Sequence, residues 1–414
     1  MADQSEPVSR EADAFPIGAR VTLEQLEQDP HPVLAALRRH EPVSWLPALG
    51  GWLVTRHDLA RTVMRDAATF TVDDPRFSTA QVVGPSMLSL DGGAHDRHRA
   101  PFTAPFRHRA VRERFAGAAA AEADRLIDGF AAAGSAELRR SFAGPLAASI
   151  MARALGLQQT EVTAMLGWYD GIVAAVTEIT AGHGVPARGR DAFAALRERL
   201  QAAIGGDPEA SLLAAAAAGD HGLASEEVVS NAGVLLFGGI ETTEGMITNA
   251  LIHLLEHGDA LAKATRDPTS LDAAIEESLR LEPAAAVIDR YATTDRTLAN
   301  ALIRQGDLVR ISITGANRDP AVFPHPDRFD PARPRPRAHL AFAQGPHVCL
   351  GIHLARLEAR TGIATALRRL PTLRLDPERP ATIQGLVFRK PPELNALWRP
   401  AIFKPSPGSP PAMA

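Results

Sequence analysis

One cysteine in 414 residues, Cys349, is the scarcest reactive side chain here. A lone thiol closes no internal disulfide, which fits a reducing compartment. Lysine is nearly as rare: Lys263, Lys390 and Lys404 stand alone against arginine at every other strongly basic position. Beside the abundant alanine, that bias reflects a GC-rich bacterial genome more than a functional choice. No run of about 18 apolar residues occurs, so no membrane-spanning helix is expected. The opening "MADQSEPVSREADAFP" has no basic start leading into an apolar stretch, so no secretory signal is expected and a cytoplasmic location is. A net charge of −4 gives no electrostatic case for nucleic acid or a membrane surface. What the chain has in quantity is apolar material, 45 % of residues, enough for a large core.

No repeat or low-complexity linker divides the chain. Residues 1–15 and the proline-rich 404–414 are expected to be disordered, leaving 16–403 as a single domain. Long alanine- and leucine-rich stretches have helical periodicity, and the strand-like pieces are short: "GWLVT" near 51, "AVIDRYA" near 286, "LVRISI" near 308 and "LNALW" near 394. The fold class is therefore mainly α with a small β region. Residues 315–349 carry little periodicity, and a stretch that long inside a globular chain is structured by its context or by function. From Ala224 to His257 the pattern predicts one helix roughly 50 Å long. Its centre, "LLFGGIETTEG", sets Gly238 and Gly239 among threonines, which predicts a local opening or a close helix contact with equal force.

Around Cys349 the sequence reads "AFAQGPHVCLGIHLARLEAR". Gly345 and Pro346 imply a tight turn, and Leu350 to Leu370 an amphipathic helix. Cys349 then lies at a helix N-terminus, where free N–H groups favour a thiolate. Gly351 removes a side chain just beyond it, room for something broad and flat, and Phe342 can shield the sulfur. Such a thiolate is suited to be an axial ligand of haem iron.

Phe342-x-x-Gly345-x-x-x-Cys349-x-Gly351 resembles the haem-binding loop of cytochromes P450. With 15 Phe and 32 Gly in the chain, those neighbours would flank a given cysteine by chance about twice in ten thousand. The loop departs from the family pattern at Ala343, where glycine is usual. The resemblance implies the P450 fold, with haem b held between the long distal helix and the proximal cysteine loop, and Cys349 as the iron's axial ligand. Gly238, Gly239, Phe342 and Gly351 are then expected against the haem, and His95, Arg99, Arg290 and His347 near its propionates. Glu277-x-x-Arg280 resembles the family's structural pair, with Arg328 as the candidate third partner. Glu241 and Thr242 resemble its acid–alcohol pair, which delivers protons to bound dioxygen.

By family position the substrate pocket is expected to draw on Val82, Val83, Met87, Val234, Phe237, Ala286, Val287, Ile288, Leu386 and Val387. That set implies a medium-sized, mainly apolar small molecule. The resemblance further implies a monomeric monooxygenase of bacterial secondary metabolism, with electrons from NAD(P)H through a reductase and a ferredoxin. Arg107, Arg109, Arg112 and Arg356 are candidates for docking that ferredoxin. Peroxide-driven oxidation and oxidative C–C or C–N coupling are the alternatives within the family. A non-catalytic haem sensor or partner-recruiting scaffold is the alternative outside it. Two metal-like patterns are set aside as chance: His253-Leu-Leu-Glu-His257, and the pair His95 and His98.

Overall fold

The computed structural model describes residues 14–158, 160–335 and 337–400. The tail expected at 404–414, and all but the last two residues of the disordered segment expected at 1–15, lie outside that range. Phe15 itself packs edge-on to Trp52, with ring centroids 5.2 Å apart.

Eight helices position the site: α1 (Ser78–Val83), α2 (Gly92–Thr103), α3 (His108–Asp128), α4 (Gly144–Leu155), α5 (Val162–Thr180), α6 (Ser225–Glu256), α7 (Pro268–Leu281) and α8 (Ile352–Arg369). The main sheet has five strands: β1 (Val43–Leu46), β2 (Gly51–Val54), β3 (Phe70–Thr71), β4 (Val287–Ala292) and β5 (Leu308–Ser312). Their order is β1-β2-β5-β4-β3. Only β2 and β5 run parallel, with Leu53 opposite Arg310; Arg290 of β4 faces Val309 of β5 across an antiparallel pair. The fourth expected strand is a three-residue piece, Asn395–Leu397, in a smaller sheet. Among the described residues between Ala316 and Gly345 the chain forms only turns and bends, as its lack of periodicity implies.

α6 runs 32 residues through the middle of the molecule and packs against α4, α7 and α8. A helix apolar on all sides can only be a buried one. Its start is fixed by Glu227, whose carboxylate accepts the Ala224 N–H at 2.9 Å and adds negative charge to the first turn. The expected opening at the glycine pair is absent: α6 is continuous there. The two glycines do different work. A Cβ on Gly239 would lie 2.6 Å from Met151 Sδ of α4, so this glycine serves close packing. A Cβ on Gly238 would meet nothing within 4 Å, because that face borders a cavity.

Candidate active site

A cavity of about 310 Å³ opens between α6, α8, β4 and the cysteine loop, and a separate space of about 20 Å³ lies beside Leu26 and Leu53. Its walls are mostly apolar. On one side stand Gly238, Gly239 and Thr242 of α6, and on the other Phe342, Cys349, Gly351 and Leu354.

The cysteine loop is built by backbone geometry. Gly345 has φ +76°, and a Cβ there would come within 2.5 Å of the Met64 carbonyl oxygen, so only glycine fits. The Cys349 N–H donates to the Phe342 carbonyl at 2.9 Å and closes the loop on itself. The N–H groups of Gly351 and Ile352 reach the sulfur, and Arg99 and Arg356 stand near. Burial nevertheless outweighs these four influences and pushes the thiol up, the reverse of the direction expected from a helix N-terminus alone. A Cβ on Gly351 would find only the Cys349 sulfur, at 3.9 Å, so the space beyond it is open. Ala343 has φ +57°, the left-handed region, which explains why glycine suits that position.

Beneath the loop, Glu277 and Arg280 of α7 are fully buried and paired through two bonds of 2.9 and 2.8 Å. Among the described residues Arg328 contributes its carbonyl oxygen and not its side chain, accepting from Arg280 and from Arg333, each at 3.1 Å. The third charged partner is Arg333, whose Nε lies 3.2 Å from Glu277 Oε1. Arg280 and Arg333 together donate to the carbonyls of Asn317, Pro324, His325, Pro326 and Arg328, replacing the ladder that this non-periodic segment lacks. Arg356 is likewise internal: it grips Glu276 through two bonds and lies over the Phe342 ring, 4.7 Å from its centroid. It is therefore not part of a docking face. Arg107, Arg109 and Arg112 are exposed at the start of α3, Arg109 paired with Glu113 at 2.7 Å.

The four basic groups expected around the propionates converge. Arg99, Arg290 and His347 line the cavity, and the His95 ring lies 4.5 Å from that of His347. His347 Nε2 bonds to Asp91 at 2.7 Å. Burial works against the Asp91 carboxylate, but bonds from His347, Thr71 and the Val72 N–H hold it well below the usual carboxylate range. Arg290 makes its recorded side-chain bond to its neighbour's carbonyl, with no carboxylate among the described residues bonded to it. Its burial drives the guanidinium down to about 10 despite Asp91 and Asp289 nearby. Arg99 donates to the Val348 carbonyl at 2.6 Å, and burial lowers it too. The His95 Nε2 is enclosed with no partner among the described residues.

The expected acid–alcohol pair divides. Thr242 lines the cavity and donates to the Gly238 carbonyl, one turn back, at 2.6 Å. Glu241, its neighbour, points the other way. It bonds to Tyr169 of α5 and lies 2.8 Å from Lys390 Nζ. Glu244 shares the same lysine and adds Arg139 at 3.1 Å. Burial raises the Glu244 carboxyl, and Lys390 and Arg139 more than offset it, leaving it ionised below its usual range.

Of the expected pocket residues, Met87, Val234, Phe237, Val287, Ile288 and Val387 line the cavity. Val82 and Val83 do not: α1 turns Ser78 and Thr79 inward and sends Val83 against Gly233 of α6. Ala286 and Leu386 face a separate small space beside Leu26 and Leu53, which Val287 also borders. The sequence reading missed Phe77, Val176, Thr180 and Phe388, and also the buried acid Glu358. Neither metal-like pattern holds: His253 stacks on Phe329, His98 bonds to Asn231 and Glu227, and no described residues gather three metal-ligating side chains.

A thiol on the wall of a mostly apolar cavity, across from a helix hydroxyl and beside Arg99 and Arg290, which bond only to backbone carbonyls among the described residues, is an arrangement that suits a haem-thiolate centre. The chain belongs to the cytochrome P450 family and is an oxygen-incorporating oxidoreductase: the family's sequence model matches residues 207–397, and curated members align along most of the chain. It is 34% identical to the cytochrome P450 monooxygenase PikC of Streptomyces venezuelae, over 84% of this chain and 85% of that protein. It is 33% identical to nocardicin C N-oxygenase of Nocardia uniformis subsp. tsuyamanensis, over 93% and 98%. Among solved structures it resembles P450BioI in complex with a hexadec-9Z-enoic acid ligated acyl carrier protein, with a TM-score of 0.81, 28% identity and coverage of 91% and 99%. Family membership implies haem b. The residues fit it: a soft sulfur donor, two cavity faces that lack a Cβ at Gly238 and Gly351, and a His95 nitrogen without a partner among the described residues beside Arg99 and Arg290, which bond only to backbone carbonyls there. No helix is long and apolar enough to cross a membrane among the described residues.

Proposed function

We propose that this enzyme inserts one oxygen atom from dioxygen into a medium-sized, mainly apolar small molecule of bacterial secondary metabolism. Its electrons come from NAD(P)H through a reductase and a ferredoxin. The observation that carries the reading is the Cys349 sulfur on the cavity floor across from Thr242, inside walls that are mostly apolar. The names of the PikC and nocardicin relatives support small-molecule tailoring.

Each residue has a stated part. Cys349 holds the iron, its charge eased by the Gly351 and Ile352 N–H groups. Arg99, Arg290, His95 and His347 would hold the propionates, which would offset the cost of burying the two arginines without a bonded carboxylate. Glu277, Arg280 and Arg333 fix the loop that aims Cys349. When bound, haem supplies the activation of dioxygen. Thr242 keeps a hydroxyl at the reacting face, its own proton committed to Gly238, so its oxygen is left to accept a proton or a water. Met87, Val234, Phe237, Val287, Ile288 and Val387 exclude water and set the substrate's shape. Arg107 and Arg112, with Arg109, form the face offered to an acidic ferredoxin.

Cys349→Ser should abolish the red-shifted absorption band of the reduced carbon-monoxide complex; a variant that keeps it overturns the ligand assignment. Turnover under labelled dioxygen tests the reaction: label in the product supports insertion, and an unlabelled oxidised product means coupling.

A further inference from the structure

One wall of the cavity hangs on a single side chain. Met87 and Leu88, both on the cavity lining, belong to the loop that joins α1 to α2. The middle of that loop bonds mostly to itself: the Ser86 N–H donates to Ser89 Oγ at 3.1 Å, and the Ser89 N–H to the Ser86 carbonyl at 3.0 Å. Among the described residues, one hydrogen bond leaves residues 85–90 for another element. In it the Met87 N–H donates to Asn231 Oδ1 of α6 at 2.8 Å.

Asn231 is fully buried in a turn of α6 where Val228, Ala232 and Leu235 are apolar. Leucine would serve packing there, and a buried amide is costly unless its bonds are all made. They are. Nδ2 donates to the Glu227 carbonyl, one turn back, at 2.8 Å, and lies 3.0 Å from His98 Nδ1 of α2. Turned over, the amide would set oxygen against oxygen at Glu227 and N–H against N–H at Met87, so one orientation survives. His98 Nδ1 then accepts, which puts the ring proton on Nε2, 3.2 Å from Glu227 Oε1. Arg97 Nη2, 3.3 Å from the same nitrogen, is itself spent on Glu227 Oε1 at 2.6 Å. The bonds from Arg97 are the main cause that holds the Glu227 carboxyl down to about 2, so an anion is there to receive the His98 proton.

We propose that Asn231 is a positioning residue for substrate selection: it fixes how far Met87 reaches into the cavity, and His98 keys the amide in the one orientation that can do so. Asn231 is outside the cavity lining and acts through Met87. The proposal deepens the haem-thiolate reading and rests on it for what the cavity binds. Ligands that fill the cavity as far as its walls are discriminated by this anchor; a ligand that senses only the iron is not.

Residue-resolved hydrogen exchange of the haem-loaded enzyme reads the anchor. In the wild type the Met87 amide should exchange at least about a hundredfold more slowly than that of Leu90, which makes no hydrogen bond among the described residues. Asn231→Leu, similar in volume and without polar atoms, should erase that difference and leave exchange along α2 and α8 within about twofold. Asn231→Asp keeps an oxygen for the Met87 N–H and should keep its protection. Imidazole and 4-phenylimidazole then probe the cavity, each followed by the absorption shift as its nitrogen takes the iron. In Asn231→Leu, imidazole should bind within about twofold of wild type, while the preference for 4-phenylimidazole over imidazole drops at least about fivefold. Asn231→Asp should retain that preference. An asparagine with a merely structural part would move both affinities together or neither. The proposal is overturned if Met87 exchanges as fast as Leu90 in the wild type, if Asn231→Leu leaves that amide protected, if Asn231→Asp loses the protection, or if the azole preference survives in Asn231→Leu. Should Asn231→Leu fail to load haem, the wild-type exchange and Asn231→Asp still decide. Failure of the haem-thiolate reading looks different: the wild type would then show no absorption shift with imidazole, while protection of Met87 would still follow Asn231.

Discussion

Two buried charge clusters flank the cavity, and they spend their charge differently. On the Cys349 side, Arg280 and Arg333 share one carboxylate, Glu277, and direct their remaining N–H groups at backbone carbonyls between Asn317 and Arg328. On the Thr242 side, Glu241, Glu244, Lys390, Arg139 and Tyr169 hold mainly one another. The first cluster is scaffolding for a segment with no ladder of its own. The second joins side chains of elements already folded, α5 and α6, to the C-terminal strand region. Buried ions are expensive in both places. Only in the first do they determine where the chain goes.

The sharpest way to break this contrast is to remove Arg280. Arg280→Ala leaves Glu277 with Arg333 as its one remaining cation and frees the carbonyls of Asn317 and Pro326, so a loss of about 3–5 kcal/mol is expected, read from denaturant midpoints. Haem retention should fall with it, because the cysteine loop follows directly. Arg328→Ala is the counterpart: only its carbonyl is used, so stability should stay within about 0.5 kcal/mol. Equal losses in the two variants would mean the side chain of Arg328 carries a load the structure does not give it.

Lys390→Met probes the second cluster. It leaves two buried carboxylates with Arg139 as their remaining cation, at an expected cost of about 3 kcal/mol. Here the damage should be charge alone. Adding Glu241→Gln ought therefore to return much of the loss, a coupling visible in a double-mutant cycle by thermal or denaturant unfolding. Strict additivity of the two substitutions would show that Lys390 and Glu241 do not act as a pair.

These clusters also mark where sequence stops being informative. The bounds of α6 were legible to within a residue, because thirty-two residues of apolar periodicity outvote any local feature. Glu277 and Arg280 were legible as a pair because both lie on one helix, one turn apart. Arg333 was not, since five arginines crowd residues 318–337 and no period ranks them. Lys390 stood out in the sequence only as a rare residue type; its contact with Glu241 spans about 150 positions. The orientation of Glu241 was hidden for the same reason. Adjacent residues on a helix face directions about 100° apart, so "acid beside alcohol" places only one of them on the cavity. Glu358 was silent because a carboxyl among Leu354, Ala355 and Arg356 looks like the polar edge of an amphipathic helix.

The smallest expected effect concerns the one departure from the family's loop pattern. Ala343 stands at φ +57°, where a Cβ costs about 1–2 kcal/mol and glycine almost nothing. Against this, glycine gives the unfolded chain more freedom, worth up to about 1 kcal/mol in the other direction. The balance favours Ala343→Gly by about 0.5–1 kcal/mol in unfolding free energy. Gly345→Ala makes the informative contrast two residues on: φ is again positive, but the new Cβ also meets the Met64 carbonyl at 2.5 Å. That variant should be clearly destabilised and lose haem. If Ala343→Gly instead destabilises, the strain at 343 is offset by packing of the alanine methyl against the cluster of Trp52, Met64 and Leu340 beside it. The proximal loop would then owe its shape to side-chain contacts as well as to the buried arginines beneath it.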